Sequence, residues 1–236
     1  MNILAVIPAR GGSKGIKLKN LRKINGKTLV GLTIECAKKV KEISNIVVST
    51  DSELIKEEAI SNGIEVPFLR PKSISGDRVA DLPVLKHALI ESEKYWKKKF
   101  HSILMLQPTS PLRNSKILSK ACRTLKNKNI QSVWSISQSD PKYHPLKQLM
   151  ISEKDFLDYY DKNGFKIIAR QQLSKLYHRN GAVYGFQRET ILNLDKIMPK
   201  KTSYILCRNP QISIDNENDI ELANFYLNKH NNFSKV

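Results

Sequence analysis

Apolar and polar positions along the chain alternate between two periods. Ile3–Ile7 (ILAVI) is an unbroken apolar run, the mark of a strand covered on both faces. Leu29–Val40 (LVGLTIECAKKV) sets its apolar residues at helical spacing. Asn45–Ser49 (NIVVS) is a second buried strand closing on Thr50-Asp51, and Ser52 is placed to cap a helix through Asn62. The pattern then predicts a strand over Glu65–Leu69, a helix over Val84–Trp96, a strand over Ile103–Gln107, a helix over Ser115–Leu125 and a strand over Ser132–Ser137. This alternation predicts an α/β fold with a largely parallel sheet joined by right-handed crossovers. Ligands of such sheets sit beyond the carboxyl ends of the strands. The informative residues are therefore expected in Arg10–Lys19, Asp51, Arg70-Pro71 and Gln107-Pro108-Thr109-Ser110.

From about Asp140 to Tyr177 the alternation fails. Proline, tyrosine and short mixed runs (DPKYHPLKQLMI, DKNGFKII) predict a β-rich excursion from the main sheet. Order returns with strands over Gly181–Phe186 and Tyr204–Cys207. A last helix starts near Asn216 with Ile220, Ala223 and Leu227 on one face. No repeat or low-complexity linker interrupts the chain, so one domain is expected over residues 1–236, with an excursion at approximately 140–178.

Composition narrows the class. Apolar residues at 40% with 26% charged describe a soluble globular protein. The first apolar run stops at Pro8, without a basic segment before it or a cleavage site after it, so no signal peptide is expected. No stretch approaches the roughly 20 apolar residues of a membrane span. Cys36, Cys122 and Cys207 are far apart and read as reduced thiols of a cytoplasmic protein, with no zinc site. The net charge of +18 would suit nucleic acid, a membrane surface or an anionic small molecule. Thirty of the 40 basic residues are lysines spread along every segment, which favours a solvated surface and, after it, an anionic substrate.

The densest chemistry follows the first strand: IPARGGSKGIKLKN, with Arg10, Lys14, Lys17 and Lys19 around Gly11, Gly12 and Gly15. Glycines let backbone N–H groups turn toward a phosphate, and the cations add charge. The alternative is an ordinary flexible turn. Neither the Walker loop nor the G-x-G-x-x-G fingerprint is present; Gly26-Lys27-Thr28 ends like the former, but Leu21 stands where its first glycine belongs.

The same stretch resembles the signature of the cytidylyltransferases that activate nonulosonic acids, the CMP-sialic acid synthetases. NIVVSTDSELIKEEAISNGIEVPFLRP, LMLQPTSPLR, HPLK, RQQL and NGAVY follow in that family's order, from about Ile3 to Ala223. The resemblance implies a Rossmann-like nucleotidyltransferase fold, a mostly parallel mixed sheet flanked by helices, with a small dimerisation excursion. It implies transfer of CMP from CTP to an acidic nine-carbon sugar destined for cell-surface glycans, with Mg2+, in a homodimer. Arg10, Ser13, Lys14, Lys19 and Asn20 would hold the triphosphate and ribose, and Arg70 would face the cytosine. Gln107 would bind the sugar. Lys147 and Arg170 would neutralise its carboxylate or reach it across a dimer interface, and Asn180 would complete the pocket. Asp215 would hold the metal and, with Arg10, Lys14 and Lys19, act in catalysis; from its position before a helix it reads equally well as an N-cap. Asp51 is a lesser candidate, or a cap of the helix behind it.

Two departures stand out. Where the family commonly has Asp-Ile-Asp, this chain has Ser213-Ile214-Asp215, removing one carboxylate; Asp219 is placed either to assist through water or simply to favour the helix N-terminus. The segment Ser75–Asp81 (SGDRVAD) replaces residues that are more often small and hydroxylated. Legionaminate, pseudaminate and Kdo remain alternative sugars. A metal-dependent glycosyltransferase would need an Asp-x-Asp, and none occurs. An RNA-binding protein would need clustered arginine or aromatic-rich strands, whereas the ten arginines are scattered.

Overall fold

The computed structural model describes residues 1–13, 15–194 and 197–233, the last four through their backbone alone. Strand β1 (Ile3–Pro8) is followed by the glycine-rich basic segment and a short hairpin, β2 (Lys23–Ile24) and β3 (Lys27–Thr28). The two-residue Asn25-Gly26 loop turns this hairpin with both residues at positive φ. Thr28 then caps helix α1 (Leu29–Lys38), its hydroxyl accepting from the Gly31 N–H at 2.9 Å. The Gly26-Lys27-Thr28 run is thus a turn and a cap.

Strand β4 (Asn45–Ser49) and helix α2 (Glu53–Ser61) come next. Ser52 occupies the N-cap position without a side-chain cap bond. Glu65–Leu69, predicted as a strand, joins no sheet. Pro67 lacks an N–H for a ladder, and the segment is tied down at its end, where the Arg70 N–H donates to the Thr50 carbonyl at 2.7 Å. Helix α3 (Asp81–Trp96) begins three residues before the prediction because Pro83 falls in its first turn, where proline is tolerated. Then follow β5 (Ser102–Met105), α4 (Ser115–Thr124), capped by Asn114, and β6 (Ser132–Gln138).

The excursion contains only two strands, β7 (Leu149–Ile151) and β8 (Leu157–Tyr159), paired with each other; 3-10 turns opened by Pro141 and Pro145 precede them and two more follow. It is less β-rich than the sequence predicts, because its prolines favour turns over ladders. Strand β9 (Tyr177–Gln187), helix α5 (Arg188–Asn193), β10 (Thr202–Leu206) and α6 (Glu217–Phe233) complete the chain.

The main sheet runs in the order β10-β6-β9-β5-β1-β4. Five strands share one direction, and β9 lies antiparallel between β5 and β6. Along β1, Ile3, Ala5 and Ile7 pack with Val30, Ile34 and Ala37 of α1, while Leu4 and Val6 pack with Leu85, Ala88 and Leu89 of α3. That two-sided burial is why the run is apolar without a break. Because β9 runs against its neighbours, it is its start that reaches the rim where β1, β4 and β5 end.

Candidate active site

Two cavities open along this rim. The first, about 250 Å3, is lined by Arg10, Ser13, Lys19 and Asn20 behind β1, by Arg70, by Ile74–Val84 residues before and within α3, and by Gln107–Thr109 behind β5. The second, about 260 Å3, is lined by His178–Gly181 and Tyr184 of β9, with Gln211 and Ser213. Asp81 and Gln107 line both, so the two adjoin.

The loop behind β1 is held in shape by the protein itself. The Gly11 N–H donates to the Asp51 carboxylate at 2.8 Å, so Asp51 clamps this loop rather than capping α2. That N–H is spent within the protein and is not free for a phosphate. Buried Asn20 donates to the Arg10 carbonyl at 2.9 Å. A Cβ at Gly15 would meet the Asp215 carbonyl oxygen at 2.7 Å, so only glycine lets the loop approach the segment before α6. Lys19 crosses the same gap, its ammonium donating to the Ile214 carbonyl at 2.8 Å and to the Asp215 carboxylate at 3.0 Å. Arg10 pairs with Asp77 at 2.8 Å. Lys14 lies outside the described residues.

Asp215 is not the cap of α6. Asn216 accepts from the Asp219 N–H at 3.1 Å, and the Asp219 carboxylate accepts from the N–H groups of Asp215 and Asn216 at 2.8 and 2.9 Å. Asp219 is therefore occupied in capping, while the exposed Asp215 carboxylate has, among the described residues, only Lys19 as its partner. Among the described residues no group of three or more His, Cys, Asp or Glu is placed to hold a metal ion. One carboxylate is still compatible with magnesium, which takes one or two carboxylates and fills its octahedron with phosphate and water oxygens.

Arg70 is buried; one terminal N–H donates to the Ser49 carbonyl, while its buried Nε has no partner among the described residues. Burial draws its pKa below the ordinary arginine value, with Asp51 opposing. Gln107 is positioned through Arg113, the buried last residue of LQPTSPLR. Its guanidinium donates to the carbonyls of Gln107 and Ala182 and to the Thr33 hydroxyl, tying the loop behind β5 to β9. Burial without a carboxylate lowers its pKa to about 10. At Gly181, φ is +74°, and a Cβ would sit 2.5 Å from the Ser110 hydroxyl and 2.8 Å from the Gln107 side-chain oxygen. Glycine there seats the Gln107 amide against β9.

Asn180 lines the second cavity, yet its amide is largely engaged by the protein. The oxygen accepts from Ser135 and from the Ala182 N–H, and the nitrogen donates to Ser137, across an irregularity in the β6–β9 pairing. Lys147 and Arg170 line neither cavity. Arg170 instead borders a separate hollow of about 370 Å3 with Asp140 and His144. Within one chain the structure does not bring these two cations to the site.

Sequence reasoning missed Asp77, Asp81, Arg113 and Arg179. The first two fall in the segment that departs from the family pattern, Arg113 ends a matched motif, and Arg179 precedes Asn180; proximity to those signals was the available clue. Asp81 is raised above the ordinary carboxylate pKa by burial, against the pull of Arg179 and Arg70. Tyr184, stacked edge-on against Trp134 at 5.0 Å, is likewise raised by burial.

Residues 4–232 match the family described as Cytidylyltransferase. This chain belongs to that family. Among its cytidylyltransferase-like relatives, a protein from Campylobacter coli named Post-translational flagellin modification protein B is 35% identical, over 97% of this chain and 96% of that one. The CMP-N,N'-diacetyllegionaminic acid synthase of Campylobacter jejuni is 33% identical over the same shares. A solved structure of CMP:2-keto-3-deoxy-manno-octonic acid synthetase complexed with CTP shares the fold, with a TM-score of 0.71 at 15% identity, covering 98% of this chain and 100% of that one.

Proposed function

We propose that this cytidylyltransferase moves CMP from CTP to the anomeric hydroxyl of an acidic nonulosonic sugar and releases pyrophosphate. One observation carries the reading: a basic loop cavity and a second cavity bearing His178 and Arg179 meet at Gln107 and Asp81. The anomeric oxygen attacks the α-phosphorus, the bond to the β-phosphate oxygen breaks, and the hydroxyl proton passes to Asp215 or to water. Arg10, Lys14 and Lys19 balance the charge of the departing pyrophosphate, and Ser13 and Asn20 hold the triphosphate and ribose in place. Such transfers depend mainly on positioning and charge stabilisation. Mg2+ bound at Asp215 would add charge neutralisation. Gln107 bonds the sugar, and Asn180 acts chiefly by fixing the wall against which Gln107 sits.

The sugar carboxylate would meet Arg179 within the chain and Lys147 and Arg170 of a second copy. A homodimer through the excursion is part of this proposal, supported by Ile151, Phe156, Leu157 and Ile168, all at least 70% exposed. The same reading takes residues 1–236 as one domain and the protein as cytoplasmic. Among the described residues no helix is long and apolar enough to cross a membrane.

A pyrophosphate-release assay with CTP against N-acylneuraminate, legionaminate, pseudaminate and Kdo tests the reading. A CTP-dependent signal with one of the nine-carbon acids is expected, and silence across the panel would overturn it. Asp215→Asn should lower magnesium-dependent turnover at least 100-fold.

A further inference from the structure

The wall shared by the two cavities carries a carboxylate without a partner. Asp81 stands in the first turn of α3, partly buried, and among the described residues it makes no hydrogen bond or ion pair; Arg179 and Arg70 act on it only at longer range. Asp77, four residues earlier, is by contrast held by Arg10. A half-buried acid left unpaired costs stability and needs a donor from outside.

Ile74, Val79 and Val84 give the first cavity apolar lining alongside Asp81. Arg70, in the same lining, holds a buried Nε with no partner among the described residues. The slot therefore presents an apolar wall, one group that only donates and one that only accepts. Cytosine presents the complement: an exocyclic amino group that donates, beside N3 and O2 that accept. Phosphate oxygens offer the carboxylate nothing but repulsion.

We propose that Asp81 is the residue that tells cytosine from uracil, its carboxylate accepting from the 4-amino group while Arg70 donates to the ring acceptors. This rests on the CTP reading above. Uracil would turn its O4 lone pairs toward the carboxylate, desolvating both with no proton between them.

The test is kcat/KM for CTP, UTP and the triphosphate of pyrimidin-2-one riboside, which lacks the 4-amino group, with wild type, Asp81→Asn and Asp81→Ser. Wild type should prefer CTP to the pyrimidin-2-one analogue by about 10- to 100-fold. Asp81→Ser, too short to reach the amino group, should lose that preference, and Asp81→Asn, whose amide oxygen can still accept, should weaken it. Asp81→Asn, whose amide can donate to O4, should also lower the CTP-to-UTP ratio at least tenfold, with KM for the sugar unchanged. A wild type indifferent to the missing amino group overturns the assignment even if neither variant folds. So does an unchanged CTP-to-UTP ratio accompanied by a raised sugar KM, which would set Asp81 against the sugar. A wild type that turns over no CTP with any sugar instead removes the functional reading beneath it.

Discussion

Asp81 carries its charge where the surroundings disfavour it. Its carboxyl titrates above the ordinary value of 3.8 because burial outweighs Arg179 and Arg70. An acid with a raised pKa holds its proton more tightly folded than unfolded, so ionisation opposes folding. That opposition is complete above the folded pKa and absent below the unfolded one. Asp81→Asn should therefore raise the thermal midpoint at pH 7 by about 2 °C or more, and the difference from wild type should close in scans below pH 4. A lower midpoint at pH 7 would make Asp81 a structural residue. A group retained against stability is what a binding site looks like from the thermodynamic side. Arg113 is the opposite case: its burial is repaid by three oxygen acceptors that hold two elements together.

At the scale of elements, the excursion is the outlier. Strands β7 and β8 pair only with each other, and a lone hairpin is marginal in water. Its large apolar side chains face outward, with Ile168 94% exposed. A second copy covering them would account for both facts. Phe156→Asp with Ile168→Asp should halve the mass seen by light scattering and cut kcat/KM for the sugar far more than CTP affinity. A pair that stays dimeric would place the interface elsewhere. The regular elements were readable because each obeys one period: β1 as an apolar run, α4 as a stripe behind Asn114. Glu65–Leu69 has the composition of a strand, but Pro67 and its tether at Arg70 decide otherwise. The start of α3 hid behind Pro83, which reads as a breaker yet fits a first turn.

Across the whole molecule, the net charge of +18 accompanies a rim lined by Arg10, Lys19, Arg70 and Arg179. Encounter with a tetra-anionic nucleotide should be steered by that field. Raising salt from 0.05 to 0.5 M should lower kcat/KM for CTP several-fold more than kcat; equal loss in both would assign the charge to solubility alone. The sequence order of motifs was enough to place Arg10, Lys19, Arg70, Gln107 and Asn180 along one edge, although only Arg10, Lys19 and Gln107 follow strand ends; Arg70 arrives there on a segment that joins no sheet. What spacing did not reveal was the reversal of β9, which brings Arg179 to that edge from the start of a strand. Nor did it reveal that Asn180 spends its polar atoms on the protein, whereas the helix-N-terminus reading of Asp219 was already open in the sequence.

The ion pair between Arg10 and Asp77 gives the loop a resting occupant. On the proposed reading, an incoming polyphosphate would exchange one anion for another and not collapse onto a bare cation. Ground-state grip would be moderated, and after bond cleavage the same internal carboxylate would be at hand to displace the leaving group. A molecule arranged this way is biased toward release, which is what repeated turnover requires.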